Sequence, residues 1–353
     1  MSHQKSINTL KKNNKEYYFS EKTALHCTVS KIYKETSHCI SIELTQNNKN
    51  LPLFIAGQYL ILTVNINGTE LSRCYSLSSS PKKLTHYRIT IQRIEGGIVS
   101  NWLCDNVFIG MKMKFSLPQG NFILPLENTP KKLAFFAAGS GITPFIPMLH
   151  TLTTINKQID LALFISTKNH ASFIFQKELS ALIDKLPHCT VTINYTAEHS
   201  ETGLYGRLTQ KNIQEKCSDI TERNIFISGS NGFITTIQTN IKALGVEDKN
   251  INKEAFYAEN KQNNIKKQIT VNLLDQGIKI ITDGTQSFLE LAENNKAYIP
   301  SVCRSGMCGA CSIKVKGKSR SLGREALDDT SFNKGVRLAC MTYPNGDCDV
   351  QLS

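Results

Sequence analysis

The sequence predicts a multidomain chain: an antiparallel β-barrel, then a doubly wound α/β domain, then a small α+β domain. Three observations carry this. Short alternating apolar runs broken by glycine turns fill the first third. Apolar runs alternate with helical stretches in the middle. The last part holds Cys303-Arg304-Ser305-Gly306-Met307-Cys308-Gly309-Ala310-Cys311, with Cys340 beyond it. A length of 353 residues leaves room for two or three such units.

In chain order, residues 1–20 read as a polar, Lys-rich tail with no apolar segment of the kind a signal peptide carries. From 21 to 128, runs at 39–44, 59–66, 87–93 and 111–117 alternate in polarity. Gly57, Asn67-Gly68, Gly96-Gly97 and Gly110 punctuate them. Many short strands at this spacing predict a barrel. Within it, Arg73-Cys74-Tyr75-Ser76 places Arg73 and Tyr75 on one face of a strand. Arginine suits a phosphate and an aromatic ring suits a planar cofactor. Gly96-Gly97 before Ile98-Val99-Ser100 either opens a phosphate-binding helix N-terminus or is a simple turn.

From 129 to 257, the apolar run 133–138 enters Gly139-Ser140-Gly141-Ile142-Thr143-Pro144, with Pro144 expected at the first helical position. Strands at 159–165, 190–195 and 224–227 alternate with helices at 171–185, 209–216 and 233–244. That alternation predicts a parallel sheet whose ligands sit at the strands' carboxyl ends. Ser228-Gly229-Ser230 occupies one such end. No acidic residue follows the second strand to hold a ribose hydroxyl, whereas Lys168 and Arg207 can meet a 2′-phosphate. That leans to NADPH over NADH, with Lys168 and Arg207 as plain solvated cations the alternative.

Residues 258–267 are polar and read as a linker. From 268 to 353 the sequence predicts two hairpin strands at 269–274 and 278–281, a short amphipathic helix at 288–293, the cysteine loop and a closing strand at 348–352. The C-x4-C-x2-C spacing with a distant fourth cysteine is that of a plant-type [2Fe–2S] cluster held by Cys303, Cys308, Cys311 and Cys340. Zinc ribbons favour paired C-x2-C knuckles instead.

Composition bounds the rest. The chain is 40% apolar and 20% charged, as ordinary globular proteins are. Its eleven cysteines show no disulfide framework, which points to a reducing cytoplasm. The net charge of +12 suits an acidic partner, anionic cofactors or plain solubility. Basic residues do not cluster beyond Lys11-Lys12-Asn13-Asn14-Lys15, so nucleic-acid binding is not expected. No apolar run is long enough for a membrane span, which leaves peripheral membrane contact through a partner.

The R-x-Y-S and G-G-x-x-S motifs, the Ala138–Pro144 turn and the cysteine loop together resemble the ferredoxin–NADP reductase family with a C-terminal plant-type ferredoxin domain. The resemblance implies a FAD-binding barrel (FMN in some relatives), a nicotinamide domain and a β-grasp ferredoxin. Arg73 would hold the pyrophosphate, Tyr75 would stack on the isoalloxazine, and Ser76 would sit beside its reactive nitrogen. Gly97, Val99 and Ser100 would hold phosphate through their backbone. Gly139, Gly141, Ile142, Thr143 and Pro144 would cradle the dinucleotide, with Gly229 nearby. Ser228 stands where the family usually has cysteine, close to hydride transfer, and Phe256 would cover the flavin's face. Cys74, in the motif's variable slot, is expected to serve packing. The implied activity is electron transfer from NAD(P)H through FAD and the cluster to an oxygenase, hydroxylase, desaturase or hybrid-cluster protein. The alternative is a flavin reductase whose cysteine cluster is a redox sensor or a zinc-binding interaction module.

Overall fold

The computed structural model describes residues 24–256 and 268–353, apart from 47–49, 83–84, 128, 156–157, 202, 305, 307 and 324–325. The expected tail and linker, and Tyr257, lie outside the described residues.

The first sheet contains β1 (Leu25–Thr36), β2 (Cys39–Thr45), β3 (Tyr59–Ile66), β4 (Thr69–Ser76), β5 (Tyr87–Gln92) and β6 (Lys112–Phe115). All its pairings are antiparallel, in the order β4-β3-β6-β1-β2-β5. A bridge between Leu77, just past β4, and Ile89 of β5 brings the two edge strands together and closes the barrel. Alternating residues such as Leu60, Leu62, Ile89 and Ile91 fill its interior, with helix α1 (Ile98–Asn106) contributing Val99 and Leu103. The strand expected at 111–117 is only Lys112–Phe115, because Pro118 follows closely and cannot donate to a ladder.

The second sheet is wholly parallel, in the order β10-β9-β8-β7-β11-β12. Its strands are β7 (Lys132–Ala138), β8 (Asp160–Thr167), β9 (Cys189–Tyr195), β10 (Leu204–Tyr205), β11 (Asn224–Gly229) and β12 (Ile251–Ala255). The central strand β7 is buried on both faces, which is why it reads as a continuous apolar run. Helices α2 (Phe145–Ile155) and α3 (Gln176–Ile183) cover one face; α4 (Gln210–Lys216) and α5 (Asn231–Ala243) cover the other. At the amino ends of these strands, buried Arg223 binds Asp160, Asp219 and the carbonyl of Leu133.

Two expectations in this domain change. The helix expected at 171–185 is broken. A short turn at 170–172 is followed by buried Phe173, Ile174 and Phe175, and Phe175 adopts the left-handed φ of 59° before α3 begins. This apolar plug has helical spacing but packs into the core as irregular chain. Pro144 precedes α2 rather than opening it, because Gly139–Ile142 forms a 3₁₀ turn first.

The barrel and this domain share a core. Phe122 packs edge-on against Phe145 and Phe226 with ring centroids 5.8 and 5.4 Å away. Arg88 of β5 reaches Glu178 of α3 at 2.8 Å.

The third sheet has the order β14-β13-β17-β15-β16, with β13·β17 parallel and the other pairings antiparallel. Its strands are β13 (Ile269–Leu273), β14 (Ile278–Thr282), β15 (Ser312–Ser321), β16 (Val336–Leu338) and β17 (Thr342–Leu352). Helix α6 (Phe288–Asn294) packs on it through Phe288, Leu291 and Ala292, and its start is fixed by a Ser287–Glu290 capping box. A further short helix, α7, spans Asp329–Asn333. The closing strand is longer than the 348–352 expected, and β15 was not anticipated. Their apolar positions alternate with Lys314, Lys316, Asp347 and Asp349, so neither stretch has an apolar run.

Gly141 marks where the parallel sheet leaves least room. A Cβ there would meet the Ser228 carbonyl oxygen at 2.2 Å and the Gly229 nitrogen at 2.8 Å. Both neighbours are backbone and cannot swing aside. Gly141→Ala is therefore expected to cost at least the ~1–3 kcal/mol of an overpacked core, read as a lower midpoint of thermal unfolding. An unchanged midpoint would contradict this packing.

Candidate functional site

A cleft of about 380 Å³ lies where the three domains meet. Strand β4 forms its centre. The period of two puts Arg73 and Tyr75 on one face and Cys74 and Ser76 on the other. Arg73 Nη1 donates to the Ser72 carbonyl at 2.8 Å, and no carboxylate pairs with its guanidinium among the described residues. Burial, and Arg304 facing it from the cysteine loop, hold its pKa below the usual arginine range. Such a group is poised for an anion. Tyr75 packs against the barrel core.

Ser76 points the other way. Its hydroxyl donates to Glu254 Oε2 at 3.2 Å. Glu254 lies near the end of β12, in register with Ser228 of β11, and is 1% exposed. Burial pushes its carboxyl up to about 8, and the Ser76 hydroxyl only partly opposes this. Its other oxygen, Oε1, has no partner among the described residues. Phe256 follows, tied by its N–H to the Gly229 carbonyl at 3.0 Å, and lines the cleft.

The glycine pair opens α1. Gly96 has a φ of +69°, and Gly97 is the N-cap. A Cβ on Gly97 would meet Ser100 Oγ at 2.5 Å. The Gly97 N–H is already bonded to Ile94 O, while helix geometry leaves the first-turn N–H groups of Val99 and Ser100 without a partner inside the helix. These residues line the cleft at the positive end of a helix dipole. The cradle therefore fits the phosphates of a flavin nucleotide, with Val99 and Ser100 as the donors and Gly97 supplying space.

The nicotinamide-domain residues divide. Thr143 and Ser140 line the cleft; Gly139, Gly141, Ile142, Pro144, Ser228 and Gly229 do not. Ile142 is core. Ser228 is fully buried beneath the Gly141 turn, with its hydroxyl unpartnered among the described residues. It lies against the backbone of the turn, not on the cleft surface where the cysteine it replaces was expected to act. Lys168 and Arg207 are exposed, following β8 and β10 at the sheet's carboxyl edge, away from the cleft.

The cysteine loop completes the site. Cys303, Cys308, Cys311 and Cys340 are 3–5% exposed. Cys311 Sγ lies 3.3 Å from Cys340 Sγ, and Cys303 and Cys340 both line the cleft. Among the described residues no three such side chains converge on a single ion position. A two-iron cluster asks for no such point, since each iron takes two of the four thiolates. The donor set fits it. Arg304, with a left-handed φ of 57°, turns into the cleft and is paired with Glu293.

Several cleft residues were not anticipated. Glu254 stands two positions before Phe256, and an acid near the end of a buried strand is a readable signal. Gln92, whose Oε1 accepts from the Ser140 N–H at 3.1 Å, carries no such signal. Cys74 and Cys303 both line this cleft.

Glu254 gives a test. Its pKa is raised on folding, so between the ordinary value of 4.5 and about 8 the folded chain keeps a proton the unfolded chain has lost. Stability is then lost as pH rises through that window and is flat above it. Glu254→Gln is expected to gain on the wild type by a few kcal/mol from pH 5 to pH 8, read by denaturant unfolding. A pH-independent difference would contradict a buried, titrating Glu254.

Family comparisons agree with this geometry. Residues 27–123 match the oxidoreductase FAD-binding domain, 135–239 the oxidoreductase NAD-binding domain, and 271–345 the 2Fe-2S iron-sulfur cluster binding domain. An NADPH oxidoreductase of Mycobacterium tuberculosis is 30% identical over 83% of this chain and 75% of its own. The ferredoxin reductase component of the 3-ketosteroid-9-alpha-monooxygenase of Rhodococcus rhodochrous is 27% identical over 91% and 94%. The phthalate dioxygenase reductase structure superposes with a TM-score of 0.66 at 23% identity, covering 94% of this chain and 99% of that one. No helix among the described residues is long and apolar enough to cross a membrane. The chain belongs to the FAD- and [2Fe–2S]-containing NAD(P)H oxidoreductases of the ferredoxin–NADP reductase family.

Proposed function

We propose that this protein is the reductase component of an oxygenase system, delivering single electrons from NAD(P)H to a separate oxygenase. The observation that carries this is one cleft lined by the barrel motifs, the end of the nicotinamide domain and two of the cluster cysteines. Relatives that serve as oxygenase reductase components support the choice of partner. When bound, the flavin takes a two-electron hydride from the nicotinamide and releases electrons singly to the cluster.

The chain's residues position and tune. Arg73 and the Val99 and Ser100 amides hold the flavin phosphates. Tyr75 and Phe256, which both line the cleft, would hold the flavin ring. Ser76 sits beside the reactive nitrogen, and Glu254 behind it keeps a proton available in a dry site. The Gly139–Pro144 turn and Gly229 would hold the dinucleotide, with Gly141 letting the turn close onto the Ser228 carbonyl. Ser228 supports that turn from below. Lys168 and Arg207, exposed cations at the carboxyl edge, favour the 2′-phosphate of NADPH. Cys303, Cys308, Cys311 and Cys340 hold the cluster.

Cys308→Ser tests the relay. It should remove the cluster's visible absorption and abolish reduction of a protein acceptor, while NAD(P)H-dependent reduction of a small dye at the flavin persists. Loss of both activities would overturn the proposed division of labour. Retention of acceptor reduction without the cluster would favour the sensor reading.

A further inference from the structure

Gln92 has no assigned part in the relay, yet it joins the two domains between which the hydride must cross. Strand β5 turns Tyr87, Ile89 and Ile91 into the barrel, so Arg88, Thr90 and Gln92 face the other way. Two of these three reach the nicotinamide domain. Arg88 pairs with Glu178 of α3, and Gln92 Oε1 accepts from the Ser140 N–H at 3.1 Å. Thr90, between them, is satisfied inside the barrel by the Ser41 and Ser78 hydroxyls. The two ties sit near opposite ends of the strand, roughly 13 Å apart. One tie alone is a pivot; two fix an orientation.

The Gln92 contact falls where the turn has no other partner to offer. Ser140 lies in the first turn of the 3₁₀ segment Gly139–Ile142, where an N–H has no acceptor inside the segment. Gly139 precedes it with a left-handed φ of 53°, and a Cβ there would stand 3.5 Å from Gln92 Oε1. The carboxamide therefore rests against the backbone of the turn. Gln92, Ser140 and Thr143 all line the cleft.

We propose that Gln92 is a positioning residue for hydride transfer, its side-chain carbonyl holding the Gly139–Ile142 turn against the barrel. The inference rests on the reductase reading above, in which this turn carries the dinucleotide and the barrel carries the flavin. Arg88–Glu178 sets the far end of the domain pair; Gln92–Ser140 sets the end where the coenzymes meet. Without the second tie the turn keeps its backbone but can drift from the barrel, and reacting groups misplaced by ~1 Å lose up to about 100-fold in rate. A neutral acceptor suits this place. A carboxylate would hold the same N–H but repel the anionic dinucleotide.

The test compares the complete holoprotein as wild type, Gln92→Met and Gln92→Glu, at matched flavin content. Methionine keeps the length and removes the acceptor; glutamate keeps an acceptor. Hydrogen–deuterium exchange at the Ser140 amide reads the bond itself: methionine should speed it by about tenfold, and glutamate should leave it protected. In anaerobic stopped flow, methionine should lower the limiting rate of flavin reduction at saturating NADPH by about tenfold, with little change in the apparent dissociation constant. Glutamate should restore most of that limiting rate while raising the dissociation constant. A limiting rate in Gln92→Met equal to wild type, equal slowing by methionine and glutamate, or the same Ser140 exchange in all three proteins would overturn the role. A wild-type flavin that neither NADPH nor NADH reduces would instead overturn the reductase reading.

Discussion

The site depends on the two-faced geometry of one strand. β4 is an edge of the first sheet, closed to its opposite edge only by the Leu77–Ile89 bridge. Its end is therefore free to meet both other domains. Arg73 and Tyr75 face one way; Cys74 and Ser76 face the other, where Ser76 meets Glu254. A slip of one residue in its pairing with β3 would exchange the two sets. The eight-residue register between β3 and β4, from Tyr59–Ser76 to Ile66–Thr69, runs without a bulge and prevents that.

The other two domains are held to this strand by different means. The nicotinamide domain shares an apolar core with the barrel through Phe122, Phe145 and Phe226, reinforced by Arg88–Glu178. Burial of such aromatic surface is worth roughly 2–3 kcal/mol per side chain, so this pair of domains moves little. The ferredoxin domain meets the cleft through Ser287, Leu289, Glu290, Arg304 and the cysteine loop, a mostly polar set. That difference suits a relay whose first step needs a fixed geometry and whose last step needs a partner to gain access.

Much of this was legible in the sequence. The cysteine spacing alone points to the proposed cluster ligands, because four thiolates around two irons constrain the chain tightly. Gly97 and Gly141 were readable as parts of glycine-rich turns, and in the structure each lacks room for a Cβ. What could not be read depends on tertiary contacts. Phe173 to Phe175 carry helical spacing but fill a gap as irregular chain. Ser228 could be placed at a strand end, but not beneath a turn that shields it. Glu254 carries no sequence sign of the burial that raises its carboxyl.

The central claim is that one continuous path joins nicotinamide, flavin and cluster across this cleft. The most direct measurement is an anaerobic titration of the purified holoprotein with NADPH, and separately NADH, followed by visible absorption and low-temperature EPR. Bleaching of flavin and cluster together, with a reduced [2Fe–2S] signal appearing at lower NADPH than NADH, is the result predicted. Bleaching of the flavin while the cluster stays oxidised, with either coenzyme, would contradict the path.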